Sequence, residues 1–183
     1  GPWLRARAQA GLLRLVQLLL DLLDIVGTPE LVAVFWRIVT RCSPLTGEEV
    51  AAAESVLGPG ALRFQDVRVA EGGLLKPVFC VNGNRAFALF HTINLPSTRT
   101  ETHDHTRGQT QIVLHELVHV FQYERAGSRY IAEALLAQAT GGRAAYDYGN
   151  VDGLAEARRL GRRLRDFNRE QQAQIAQDYF ASG

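Results

Sequence analysis

The chain has no methionine, a single lysine among its twenty basic residues and only two cysteines in 183 residues. Cys42 and Cys80 lack both the close spacing of a metal knuckle and the numbers of a disulfide framework, so a cysteine-built scaffold is excluded and both read as ordinary buried thiols. Charge of one sign is missing too. Twenty basic side chains face nineteen acidic ones, a net charge of +1, which leaves no chain-wide field for nucleic acid or an anionic membrane. The most apolar stretch, Leu12 to Val26, is interrupted by Arg14, Gln17, Asp21 and Asp24 and is too short and too charged to span a bilayer. No phosphate-binding loop, dinucleotide fingerprint or Gly-x-Ser-x-Gly elbow is present. The Gly1-Pro2 start, with no initiating methionine, reads as the scar of a removed tag.

What is present is an ordinary globular composition, 46% hydrophobic and 21% charged, long enough for one domain that buries roughly 70% of its unfolded surface. Residues 4 to 26 form an amphipathic pattern ending at Gly27. Thr28-Pro29-Glu30 opens a second helix to about Arg41, so residues 1–41 are expected to be a helical hairpin, separate from a domain at 42–183. Its apolar surface reads as packing on the rest of the chain, or as a docking face for another protein or a membrane interface. Thr46 and Glu49 form a Thr-x-x-Glu capping box ahead of a short helix that stops near Gly58. Residues 64–70, 75–81 and 85–93 have strand composition, and Asn82-Gly83 is a hairpin signal, which predicts a small antiparallel sheet. From His91 to Gly108 the chain is polar and Thr-rich and reads as a surface loop. Helices are expected at about 108–126, 129–140, 153–165 and 168–181. The fold class is therefore α+β, mainly helical.

His115-Glu116-Leu117-Val118-His119 carries the chemistry. Two imidazoles four residues apart on a helix lie about 40° apart around the axis and one turn apart along it, so both can face one metal ion. Glu116 is rotated about 100° from His115, beside the ion and not on it, where a carboxylate can take a proton from water. The flanking Ile112, Val113, Leu117, Val118, Val120 and Phe121 make the surroundings apolar. By chance such a motif arises on the order of once per hundred chains of this composition. The alternative, two histidines hydrogen-bonded in a helix core, is the minority reading.

A catalytic zinc site needs a third protein ligand and one open position. His91, His103 and His105 all precede the motif, and no histidine follows at three-histidine spacing, so a carboxylate is expected. Glu133, on the next helix among apolar neighbours, and Glu170, two residues after the natural helix cap Asn168, are equal candidates on spacing. The Thr-rich His103-Asp104-His105 cluster reads as a solvated loop, and the arginines from Arg158 to Arg169 as a solvated helix face without the aromatics that nucleic acid would need.

The run His115 to Gln122 resembles the HExxH-V-W-Q helix of a family of bacterial zinc peptidases, known as the peptidase-like core domain of extracellular contractile injection systems and as Vgr-related proteins of type VI secretion clusters. The resemblance covers about residues 44 to 181, including Pro44-Leu45-Thr46, Phe64 to Val69, Tyr146-Asp147-Tyr148 and Phe167 to Tyr179. Glu170-Gln171-Gln172-Ala173-Gln174 is similar to the Glu-x-x-Ala-Asp third-ligand segment of the gluzincin class, with Gln174 in place of the Asp that would steady a ligating histidine; Asp178, one turn on, is expected to substitute.

The resemblance implies a zincin-like domain with Zn2+ held by His115, His119 and Glu170, ahead of Glu133. It also implies a bacterial protein made in the cytoplasm and secreted or injected. Residues 1–41 lie outside the resemblance; a third reading makes the domain a toxin effector, with that hairpin as the handle that meets a secretion-apparatus protein. The activity expected is hydrolysis of a peptide or protein substrate with Glu116 as the base. Tyr148 is preferred over Tyr146 and Tyr123 as oxyanion donor, and the strand at 86–93 is the edge to which an extended peptide adds. The rival is a zinc-stabilised module for assembly or cargo loading that cleaves nothing.

Overall fold

The computed structural model describes residues 42–71, 83–96, 108–131, 133–134 and 142–182, with Phe79, Thr40 and scattered positions between 14 and 38. The expected hairpin of residues 1–41, the division at residue 41 and the His103-Asp104-His105 cluster lie outside the described residues. Two described N-terminal side chains do reach the main body. The Asp24 carboxylate accepts from the Ser128 backbone N–H (2.7 Å) and hydroxyl (2.6 Å), and Asp21 pairs with Arg129 (3.2 Å). Gly127 allows this approach. Its φ is +62°, and a Cβ there would stand 2.5 Å from Asp24 Oδ2.

Strand β1 (Cys42–Pro44) leads into helix α1 (Gly47–Leu57). The predicted capping box closes on both sides: Thr46 Oγ1 accepts from Glu49 N–H (3.2 Å) and Glu49 Oε2 accepts from Thr46 N–H (2.7 Å), satisfying donors that the first turn leaves open. Strands β2 (Arg68–Glu71), β3 (Phe87–Leu89) and β4 (Thr92–Leu95) follow, then α2 (Thr110–Ala126), α3 (Asn150–Arg159) and α4 (Arg169–Ser182). The domain is α+β and mainly helical, as expected.

The sheet departs from expectation in three ways. It runs β1-β2-β4-β3, and the central β2–β4 pair is parallel, with Val69 opposite Ile93, so it is mixed and not antiparallel throughout. β1 comes from a stretch too short and too proline-rich to read as a strand. The hairpin sits at Phe90-His91, between Leu89 and Thr92, and not at Asn82-Gly83. There the Asn84 N–H donates to the Phe79 carbonyl (2.7 Å) beyond Gly83 at φ +75°, the six-to-one bond that ends a helix. Phe79, the one described residue of the stretch expected as a strand at 75–81, is helical. Asn-Gly suits any place that needs positive φ, and a helix end is one of them.

β4 begins at the end of the stretch expected as a strand, 85–93, and runs on into the segment expected to be a polar loop, yet all four of its residues are buried. Thr92 and Asn94 gave the polar reading; the Asn94 amide donates to the Thr92 and Phe87 carbonyls, so its polarity is absorbed locally. Ile93 and Leu95 join Val67, Val69, Val113, Leu114, Leu117 and Val120 in the core between sheet and α2, each side chain worth about 1.5–3 kcal/mol on burial. On its other flank α2 meets α4 through Val118, Ala173 and Ala176. Ala173, fully buried, has no side chain to hold the helices apart, and this close approach brings the first turn of α4 beside the motif. Among the described residues no helix is long and apolar enough to cross a membrane.

Candidate metal centre

Helix α2 buries His115, Glu116 and His119 in its middle, and the first turn of α4 brings Glu170 to them, 1% exposed. Asn168 sets that turn. Its Oδ1 accepts from Gln171 N–H (2.9 Å) while Gln171 Oε1 accepts from Asn168 N–H (3.1 Å), a capping box that leaves Glu170 at the second helical position. A carboxylate is favoured there by the positive end of the helix.

His115, His119 and Glu170 each offer one ligand atom, all within 4.8 Å of one another. Glu170 Oε2 lies 3.6 Å from His115 Nε2 and 3.5 Å from His119 Nε2. A charge-assisted hydrogen bond would be about 2.7–2.9 Å. Two ligands on a tetrahedral zinc stand about 3.3 Å apart, from bonds of about 2.0–2.1 Å, so the two separations from Glu170 suit a shared ion better than direct bonds. The other ring nitrogens are held from outside, His115 Nδ1 by Gln177 Oε1 (3.0 Å) and His119 Nδ1 by Gln122 Oε1 (2.9 Å). Each Nδ1–H that donates to an amide oxygen leaves a lone pair on Nε2, turned toward Glu170.

The electrostatics suit a cation. Burial alone would raise Glu170, but the two imidazoles override it and hold the carboxyl well below the usual range. Burial would depress His119, yet the Glu170 and Glu116 carboxylates lift it to about 9. Glu116 behaves in the opposite way: burial pushes its pKa up, against the pull of His119 and His115. Its Oε2 is buried with no hydrogen-bond partner. Two imidazoles and a carboxylate brought together in this way are a donor set that suits a metal ion. The residues fit a divalent ion such as zinc.

A cleft of about 280 Å³ opens beside His115 and Glu116 and is lined by Arg85, Ala86 and Tyr146 among others. Tyr146 places its ring 6.2 Å from that of His115, with the Arg85 guanidinium 5.6 Å from its centre. Burial and the Glu170 charge push its hydroxyl up to about 12, so it stays protonated at neutral pH. Tyr148, the tyrosine preferred from sequence, lines a separate groove of about 490 Å³ and donates its hydroxyl to Asp178 Oδ2 (2.7 Å). Tyr123 packs its ring on Phe90, His91 and Tyr130.

Of the two carboxylate candidates, Glu133 is drawn off by the Arg169 guanidinium (2.6 Å), and Glu170 joins the histidines. Asp178, expected to steady a histidine, instead accepts from Gln174 (2.8 Å) and Tyr148; Gln122 and Gln177 take that role. Only the presence of Gln122 in the resembling run pointed to it.

The expected peptide edge is partly filled. β3 is the edge strand, but the outward N–H of Ala88 donates to the Glu116 carboxylate. The Ala88 carbonyl accepts from the Tyr130 hydroxyl (3.1 Å), whose oxygen in turn accepts from the Phe90 N–H. Tyr130 thus occupies the slot that an added strand would use between Ala88 and Phe90. The cleft reaches Ala86, just before this strand.

Comparison of the chain with family profiles, with curated proteins and with solved structures gives no match.

Proposed function

We propose that the chain is a zinc-dependent metallopeptidase of the HExxH-plus-Glu kind, with His115, His119 and Glu170 as ligands. The observation that carries this reading is the unpartnered Glu116 Oε2 beside the triad, since a site that only stabilised the fold would have no use for a buried, unsatisfied carboxylate. A zinc ion bound there supplies Lewis acidity, making water more acidic and polarising a carbonyl.

The chain's own residues do the rest. Ala88 N–H anchors the Glu116 carboxyl and fixes its direction. Burial raises the affinity of Glu116 for a proton, bringing it nearer the working range of a base at neutral pH. Glu116 accepts a proton from water as the water oxygen joins the carbonyl carbon, and returns it to the amide nitrogen as the C–N bond breaks. Tyr146, protonated and in the same cleft, is the group placed to donate to the developing oxyanion.

The test replaces Glu116 with Gln. Zinc content by elemental analysis is expected to stay at the wild-type level, while cleavage of an unbiased peptide library, read by mass spectrometry, falls by about 10²–10⁴-fold. Cleavage that persists in the variant overturns the mechanism.

The filled edge at Ala88 and Phe90 favours a second reading, a zinc-stabilised module that cleaves nothing. Wild-type protein that holds zinc and leaves the library intact supports it.

A further inference from the structure

The amide network around the triad has a direction that backbone carbonyls set. Gln172 Nε2 donates to the Phe167 carbonyl (2.8 Å), which turns Gln172 Oε1 toward Gln122. Gln122 Nε2 donates to that oxygen (3.2 Å) and to the Arg169 carbonyl (3.1 Å). A carbonyl can only accept, so this end of Gln122 is the NH2 group and its oxygen must face His119. His119 Nδ1 therefore carries the proton, and Nε2 is the ligating atom. Gln122 is 2% exposed and touches both helices that build the site: the ring on α2 and the peptide that immediately precedes Glu170. Gln177, two turns along α4 from Glu170, presents its oxygen to His115 but stands in the wall of the open cleft.

Resting on the reading of the triad as a metal site, we propose that Gln122 is a positioning residue that acts as a two-sided clamp, fixing the His119 ring through its oxygen and the Glu170 turn through its nitrogen, whereas Gln177 acts as an acceptor alone. Metal affinity then depends on the Gln122 amide and not on charge. A carboxylate at position 122 would still accept from His119, but its second oxygen would face the Arg169 carbonyl and Gln172 Oε1, two acceptors, and the Glu170 turn would be pushed away. A carboxylate at position 177 would meet no such pair and would add a negative charge near the ion.

The two models predict opposite signs for one substitution. If only charge near the cation mattered, Q122E would bind zinc more tightly; the clamp requires it to bind more weakly. The experiment measures zinc affinity of the full chain by competition with a chromophoric chelator, together with the visible absorption of the cobalt(II) form, which reports ligand geometry. Q122E, Q122L and Q177L are each expected to lose about 10–100-fold in affinity, Q122E with an altered cobalt band, while Q177E binds at least as tightly as wild type. Circular dichroism of the metal-free proteins checks folding. Should Q122E fail to fold, Gln172→Leu removes the far end of the clamp and is expected to weaken binding by a similar factor.

Wild-type affinity in Q122E or Q172L, tighter binding in Q122E, or no loss in Q177L overturns the proposal. The failures are separable. Wild-type protein that takes up neither zinc nor cobalt overturns the metal reading and the clamp together, uptake without peptide cleavage overturns only the peptidase, and uptake that Q122E leaves intact overturns only the clamp.

Discussion

Glu133 and Glu170 have the same charge and both lie on helical backbone, yet one is drawn to Arg169 and the other to two imidazoles. The difference lies in what surrounds each carboxylate. Glu133 keeps about a third of its side chain in solvent, where a pair with arginine is worth at most about 1 kcal/mol; Glu170 is sealed and must be compensated. Glu170→Ala is therefore expected to abolish stoichiometric zinc in elemental analysis, and Glu133→Ala to leave it unchanged. Tyr130→Phe probes the strand edge. Without the hydroxyl, the Ala88 carbonyl and the Phe90 N–H lose their partner, and the urea midpoint should fall by an amount equivalent to about 1–3 kcal/mol. Unaltered stability would mean that the hydroxyl is not what holds the edge.

At the scale of elements, two capping boxes with the same chemistry have different consequences. Thr46 caps α1, remote from the triad, while Asn168 caps the turn that presents Glu170. Thr46→Ala is expected to cost about 1 kcal/mol in denaturant unfolding without changing zinc affinity. Asn168→Ala should cost a similar amount and also weaken zinc binding in the chelator competition, because the first turn of α4 frays with the ligand on it. Thr46 and Glu49 are legible in sequence as a box and Asn168 as a cap, since each depends on residues a few positions apart. So is α2, where the motif and its apolar flanks share one period. β4 is legible only at its start, within 85–93, because Thr92 and Asn94 look solvated until the strands on either side are in place. The role of Asn82-Gly83 is not legible, because a local φ requirement is met equally by a hairpin or a helix end.

For the molecule as a whole, the triad joins the centre of one helix to the start of another that arrives from the far end of the chain. An ion there binds the folded state and has no preformed site in the unfolded one. Free zinc at a hundredfold excess over its dissociation constant should add about 2.7 kcal/mol to stability, seen as a melting temperature that climbs with zinc and drops on chelation. Glu170→Ala should lose this response. A melting temperature that ignores zinc would show that the three side chains do not share an ion.

The sequence by itself determined the paired imidazoles, the carboxylate between them and the helices that carry these groups, because each depends on spacings shorter than a few turns. The resemblance put Glu170 ahead of Glu133, but only the tertiary structure brought it to the histidines, put Gln122 and Gln177 behind the rings, moved Tyr148 onto Asp178 and filled the β3 edge with Tyr130. Those outcomes depend on which surfaces meet when α4, the Tyr130 segment and the sheet pack around α2, and contacts between segments tens of residues apart leave no periodic trace along the chain.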